Sequence, residues 1–149
     1  DYVSVGKFRT EGYVNAIGNS ELTYDENLIL KIEDINNFEN EIKDLLIKNK
    51  PDAVFAVNEI FAVTAIKQAA KLGIKVPEEL AVIGFTDGII SKYSSPSIST
   101  ISQNGEKMGE KAAQMLIEKL EMEELGEDYI EQYKTEVIET ELIERESTF

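Results

Sequence analysis

Two short runs carry no polar side chain, Ala53–Val57 and Leu80–Phe85, and they bracket an alanine-rich stretch, Ile60–Leu72. An uninterrupted apolar run of this length suits a central parallel strand covered on both faces. The stretch between them has the length and composition of a helix, and Gly73 stands where a left-handed residue closes one. Strand, helix and strand with short connections form a βαβ unit, which requires helices packed on a mostly parallel sheet. The remaining segments agree with that class. Leu28–Ile32 reads as a further β-type run. Phe38, Ile42, Leu45 and Leu46 share one helix face, with Asn37 as N-cap and Asn49-Lys50-Pro51-Asp52 as the end. Thr86–Ser97 is rich in turn formers and reads as a loop. Ile98–Ser102 reads as a short strand and Asn104–Glu121 as a long helix. Lys134–Ile143, after a polar stretch, reads as a last strand. Arg9–Gly18 reads as a helix at the front. A doubly wound domain ordinarily opens on a strand, so the expectation is a piece of a larger protein whose fold begins upstream.

Composition narrows the chemistry. The 149 residues are 42% apolar, enough for a folded core. Histidine and cysteine are both absent. That removes serine triads, thiolate nucleophiles, thiolate metal sites and the commonest general base. No glycine-rich phosphate loop is present. No cofactor, no metal and no catalytic residue are therefore expected. A carboxylate pair, Glu59 and Asp87, could in principle act on a glycosidic bond, but both acids have a simpler use as hydroxyl acceptors. The net charge of −14 repels phosphate backbones, so the segment by itself is a poor binder of nucleic acid. Twelve acids stand between Glu118 and Glu146 against Lys119, Lys134 and Arg145, a pattern read as a solvated surface. No apolar run is long enough to span a membrane, and no secretory signal opens the sequence as given.

In open α/β sheets ligands bind beyond the carboxyl ends of the strands. That rule selects Asn58 and Glu59 after the first apolar run, Thr86, Asp87 and Gly88 after the second, and Gln103 after the third strand. Arg9 lies at the start of the first helix. Amides offer donor and acceptor together, and a guanidinium presents a rigid fork of donors. The set suits a polyol, a sugar or another polar small molecule. Singly, Asn58 and Thr86-Asp87-Gly88 could only cap helices or make turns, Gly84 could only relieve crowding, and Phe55, Phe61 and Phe85 read first as core.

The residues also carry a resemblance. Pro51-Asp52-Ala53-Val54-Phe55-Ala56-Val57-Asn58-Glu59 resembles a segment of the lactose-repressor (LacI/GalR) family of bacterial transcription regulators. Val76-Pro77-Glu78-Glu79-Leu80-Ala81-Val82-Ile83-Gly84-Phe85 continues the pattern, as do Pro96–Gln103, the ending Glu141–Ser147, and Arg9-Thr10-Glu11-Gly12-Tyr13 upstream. The resemblance implies a two-lobed periplasmic-binding-protein-like fold with a small effector in the cleft. It implies an upstream helix-turn-helix head that holds operator DNA, a homodimer, and a cytoplasmic location. Residues 1–102 would be the C-terminal lobe. Residues 103–128 would be a crossover and a helix belonging to a first lobe that is largely missing, and 129–149 a return strand. On this reading the apolar face of that helix (Met108, Ala112, Met115, Leu116) is unsatisfied in an isolated piece, and the helix packs against a neighbouring chain or sits displaced.

Position by position, Arg9 is similar to the family's ligand-clamping arginine. Asn58 matches a cleft asparagine, and Gln103 a polar residue where the chain crosses between lobes. One position departs. The family commonly has two acids after the glycine–aromatic pair, the first contacting the ligand; here Thr86 takes the first place and Asp87 the second. Either the ligand differs from the usual sugars or Asp87 turns inward to replace it. The function implied is an effector-binding domain that controls operator affinity. The alternative is the periplasmic sugar-binding protein of a transporter, which shares the fold.

Overall fold

The computed structural model describes residues 4–32, 34–124 and 134–149. Three parallel strands, β1 (Ala53–Ala56), β2 (Ala81–Phe85) and β3 (Ser99–Ser102), lie side by side in chain order. A fourth, β4 (Glu141–Ile143), runs antiparallel against β3. The helices are α1 (Ser4–Gly18), α2 (Phe38–Asn49), α3 (Glu59–Leu72), α4 (Ile89–Tyr93) and α5 (Gly105–Glu124).

The core lies on one face of the sheet. Ile42 and Leu46 of α2 and Ala62, Ala65, Ile66 and Ala69 of α3 bury against Ala56, Leu80, Val82 and Ile98. Full burial of each leucine or isoleucine side chain contributes about 2 kcal/mol. The alanines let α3 sit close, and Gly84 completes the fit: a Cβ there would stand 3.3 Å from the Cβ of Ala62. The ends of α3 follow local rules. Asn58 Oδ1 accepts from the Phe61 N–H at 2.9 Å, and Gly73 closes the helix at φ 76°.

The end of the chain is stitched into the middle of the sheet. Ser147 is fully buried. Its hydroxyl donates to the Val82 carbonyl and accepts from the Ser99 N–H, while its own carbonyl accepts from the Val82 N–H at 2.9 Å. It thereby satisfies backbone groups of β2 and β3 near the ends where those strands begin.

Several expectations need correction. Leu28–Ile32 is not a strand. Asp25 accepts from the Asn27 N–H and winds Glu26–Leu28 into a 3₁₀ turn, and residues 29–32 have no ladder partner. A strand exists only where a neighbour pairs with it, and β1 pairs with β2 alone among the described residues. For the same reason β1 is an edge strand, not a central one covered on both faces; Phe55 is 40% exposed. Thr86–Ser97 is not all loop, because α4 forms within it. Its N-cap is Gly88, which has no side chain to offer, and the Glu59 carboxylate takes over by accepting from the Ser91 N–H at 2.9 Å. Asn37 occupies the cap position of α2 but makes no side-chain bond to the helix backbone; its Oδ1 accepts from the Asn40 side chain. The last strand keeps only Glu141–Ile143 of the ten residues expected. The polar stretch and the 128/129 boundary lie outside the described residues.

α5 stands apart from the core. Met108, Leu116, Ile117, Leu120 and Met122 are all exposed. Asn104, which donates to the Glu139 carbonyl, and Lys111, paired with Glu136, link this region to the segment that leads into β4.

Candidate functional site at the strand ends

The carboxyl ends of β1, β2 and β3 deliver side chains to one rim of the sheet. Val57 follows β1, and its carbonyl accepts from Arg9 Nη1 at 2.7 Å. The same guanidinium lies over the Phe85 ring, 4.0 Å from its centroid. Phe85 in turn meets Phe55 edge-on, with ring centroids 6.3 Å apart. Arg9 is thus anchored by one carbonyl and one aromatic face, and four of its five N–H donors have no bond to a described residue. Partial burial lowers its pKa, yet a guanidinium remains charged at neutral pH.

Thr86 follows β2 with φ 91°, a conformation rare for a β-branched residue. Two bonds hold it there. Its N–H donates to the Ile101 carbonyl at 2.9 Å, and its hydroxyl accepts from Gln103 Nε2 at 2.8 Å. Strain of this kind persists only where the surroundings over-determine the backbone, and it concentrates at binding sites. Asn58 stands one residue past Val57, its Oδ1 committed to capping α3.

The structure therefore brings Arg9, Asn58, Thr86 and Gln103 to the same rim. It does not bring Asp87 there. Asp87 Oδ1 accepts from Arg145 Nη2 at 2.6 Å and from the Thr100 hydroxyl at 2.9 Å, and Oδ2 lies 3.4 Å from Lys92 Nζ. Arg145 also donates to the Ile98 carbonyl at 2.7 Å. The carboxylate is a bracket between the β2 loop, β3 and the segment after β4. Of the two ways to account for the departure at Thr86, an inward turn of Asp87 toward the ligand is the one this geometry disfavours.

Arg145 is the residue that reading the sequence passed over. Its signal was scarcity. The chain has thirteen lysines and only two arginines, Arg9 and Arg145. Each sits where a planar fork of donors is used, one over a ring and a carbonyl, the other across a carboxylate, a hydroxyl and a carbonyl.

The electrostatics of the bracket give a pH dependence. Burial alone raises the Asp87 carboxyl, but the Arg145 guanidinium, the Thr100 hydroxyl and Lys92 outweigh it and hold the group below its ordinary value. Glu146 is held down by the Ser97 N–H and hydroxyl. A carboxyl with a lower pKa folded than unfolded adds stability above its unfolded pKa and loses it as pH falls through the folded one. Urea midpoints across a pH series are expected to fall below about pH 4. Asp87→Asn should flatten that fall, and an unchanged slope in the variant would refute the assignment.

Among the described residues no group of His, Cys, Asp or Glu could hold a metal ion, and no helix is long and apolar enough to cross a membrane. A shallow depression of about 210 Å³ lined by Thr10, Val14, Tyr24, Glu26, Ile29 and Lys31 includes none of the rim residues.

Comparison with known proteins agrees with this arrangement. The model of the periplasmic binding protein-like domain matches residues 4–148. The HTH-type transcriptional regulator MalR of Clostridium butyricum is 34% identical over 149 residues, which cover 99% of this chain and 42% of MalR. The HTH-type transcriptional repressor PurR of Haemophilus influenzae is 29% identical over 146 residues, 97% of this chain and 43% of PurR. Among solved structures, the transcriptional regulator CelR in complex with cellobiose superposes with a TM-score of 0.73 at 28% identity, covering 93% of this chain and 41% of CelR. The Escherichia coli transcriptional repressor ascG gives 0.74 at 28% identity, covering 93% and 49%. The chain spans less than half of each of these proteins. Its mostly parallel sheet, its strand-end rim and these likenesses agree: the chain belongs to the periplasmic binding protein-like domain family, in the form found in LacI-family transcription regulators.

Proposed function

We propose that residues 1–102 and 129–149 form the C-terminal lobe of an effector-binding domain, and that residues 103–128 belong with a first lobe encoded upstream. The exposed apolar face of α5 supports this division, since such a face gains by burial against a second lobe. The effector is a small polar molecule, a sugar or related metabolite, held between the lobes. Its contacts on this side are Arg9, Asn58, Thr86 and Gln103, while Asp87 braces the loop that carries Thr86. The observation that carries the reading is the convergence of these four side chains at the carboxyl ends of three parallel strands. Similarity to the regulators MalR and CelR, the latter in complex with cellobiose, supports it.

The parent protein is then a cytoplasmic homodimer that meets operator DNA through an upstream helix-turn-helix head. Effector binding biases its operator affinity because the ligand favours one arrangement of the lobes. The chain takes no catalytic part and needs no cofactor. A thermal-shift screen of sugars and polar metabolites against the full-length protein tests the reading. A ligand at a hundred times its Kd stabilises by about 2.7 kcal/mol, which moves a domain of this size by several degrees. If no small molecule shifts the melting temperature, the effector reading fails.

A further inference from the structure

A census of donors and acceptors at the rim is lopsided. Two of the three side-chain oxygens of the rim are already accepting: Asn58 Oδ1 takes the Phe61 N–H and Thr86 Oγ1 takes Gln103 Nε2. The neighbouring Asp87 is turned away, its Oδ1 accepting from Arg145 and Thr100. The Glu59 carboxylate takes the Ser91 N–H, pressed so closely under Gly88 that a Cβ there would collide with it. Gln103 Oε1 is the one amide oxygen of the set with no bond among the described residues. The donors are in the opposite condition. Arg9 keeps four N–H groups, Asn58 keeps Nδ2, Gln103 keeps one N–H, and the Thr86 hydroxyl keeps its proton. No carboxylate pairs with Arg9 among the described residues. In a chain of net charge −14, the rim is a cationic, donor-rich spot.

A hydroxyl needs an acceptor for its proton as well as a donor for its lone pairs, and a rim without free carboxylates serves it poorly. A carboxylate or phosphate oxygen only accepts. We propose that the effector carries an anionic group, seated on Arg9, Asn58 Nδ2 and the Thr86 hydroxyl, so that Thr86 sets specificity for anionic over neutral polyols. This rests on the effector reading above and specifies its ligand class. The residue type agrees: a carboxylate at position 86, one residue past the ring that carries the guanidinium, would add a negative charge to the rim and repel an anion, and a threonine does not.

The test uses the full-length protein and pairs of probes that differ in one anionic group: glucose 6-phosphate against glucose, and gluconate against sorbitol. Isothermal titration calorimetry is expected to show at least a tenfold preference for an anionic member over its neutral partner. Thr86→Asp should cut the affinity for that anionic probe by at least tenfold. Asparagine and aspartate tolerate a positive φ better than threonine does, so the variant is not asked to fold into a worse backbone. Thr86→Asn, of similar size without the charge, should lose less than Thr86→Asp; an equal loss in both would assign the effect to shape and overturn the proposal. Tighter binding of the neutral members, with Thr86→Asp without effect or tighter still, would also overturn it and leave the effector reading standing. If neither class binds, the proposal fails together with that reading.

Discussion

Replacing Arg9 with alanine is expected to lower effector affinity about a hundredfold in the full-length protein, a loss of about 2.7 kcal/mol. The size follows from what the side chain does. A charge-assisted hydrogen bond is worth about 1.5–3 kcal/mol, and a guanidinium can make two at once to one carboxylate or to two hydroxyls. The Val57 carbonyl and the Phe85 ring fix the group before any ligand arrives, so little rotamer freedom remains to be lost on binding. Operator affinity without effector should stay within about threefold, because Arg9 lies at the strand-end rim and the proposed DNA contacts lie upstream. Arg9→Lys should not rescue binding, since an ammonium neither stacks on Phe85 nor bridges two acceptors in one plane. Calorimetry with the effector, alongside anisotropy with the operator, separates the two readouts. Effector affinity unchanged within threefold would remove Arg9 from the site.

The second large effect is on stability. Arg145→Ala is expected to destabilise the chain by about 3 kcal/mol, read as a lower urea midpoint. Side-chain exposures are 16% for Arg145 and 11% for Asp87, so the pair is shielded from water. Removing the arginine leaves a carboxylate with the Thr100 hydroxyl and Lys92 as its remaining partners, and it frees the Ile98 carbonyl. Asp87→Asn placed on top of Arg145→Ala should recover part of the loss, because the stranded charge is gone. Two single losses that simply add would show that the residues do not act as a pair. Arg145→Ala should also weaken effector binding, since the loop it braces carries Thr86.

How much of this could be read beforehand divides along a physical line. β1, β2 and α3 were legible because their signals are local: apolar runs of strand length, an asparagine before the helix and a glycine after it. Leu28–Ile32 is apolar at four of its five positions and still forms no strand, because pairing is decided by a neighbour and not by the run itself. The short helix α4 was illegible because its capping carboxylate comes from Glu59, thirty-two residues from the Ser91 N–H it receives. The rim was legible as a set, since the strand-end rule needs only the strands. Which of Thr86 and Asp87 serves the rim was not. That depends on Arg145, fifty-eight residues downstream, and adjacent residues in a turn give no hint of which one a distant guanidinium will claim.

The stitching of Ser147 between Val82 and Ser99 has a consequence for the order of events during synthesis. β1, α3 and β2 are translated well before residues 141–148, yet the backbone groups that Ser147 satisfies belong to β2 and β3. A nascent chain that has grown only as far as α5 holds Val82 and Ser99 with those groups open and Asp87 without its arginine. Domains usually complete themselves in the order in which they emerge from the ribosome. This sheet does not: its middle waits for residues translated some fifty positions later.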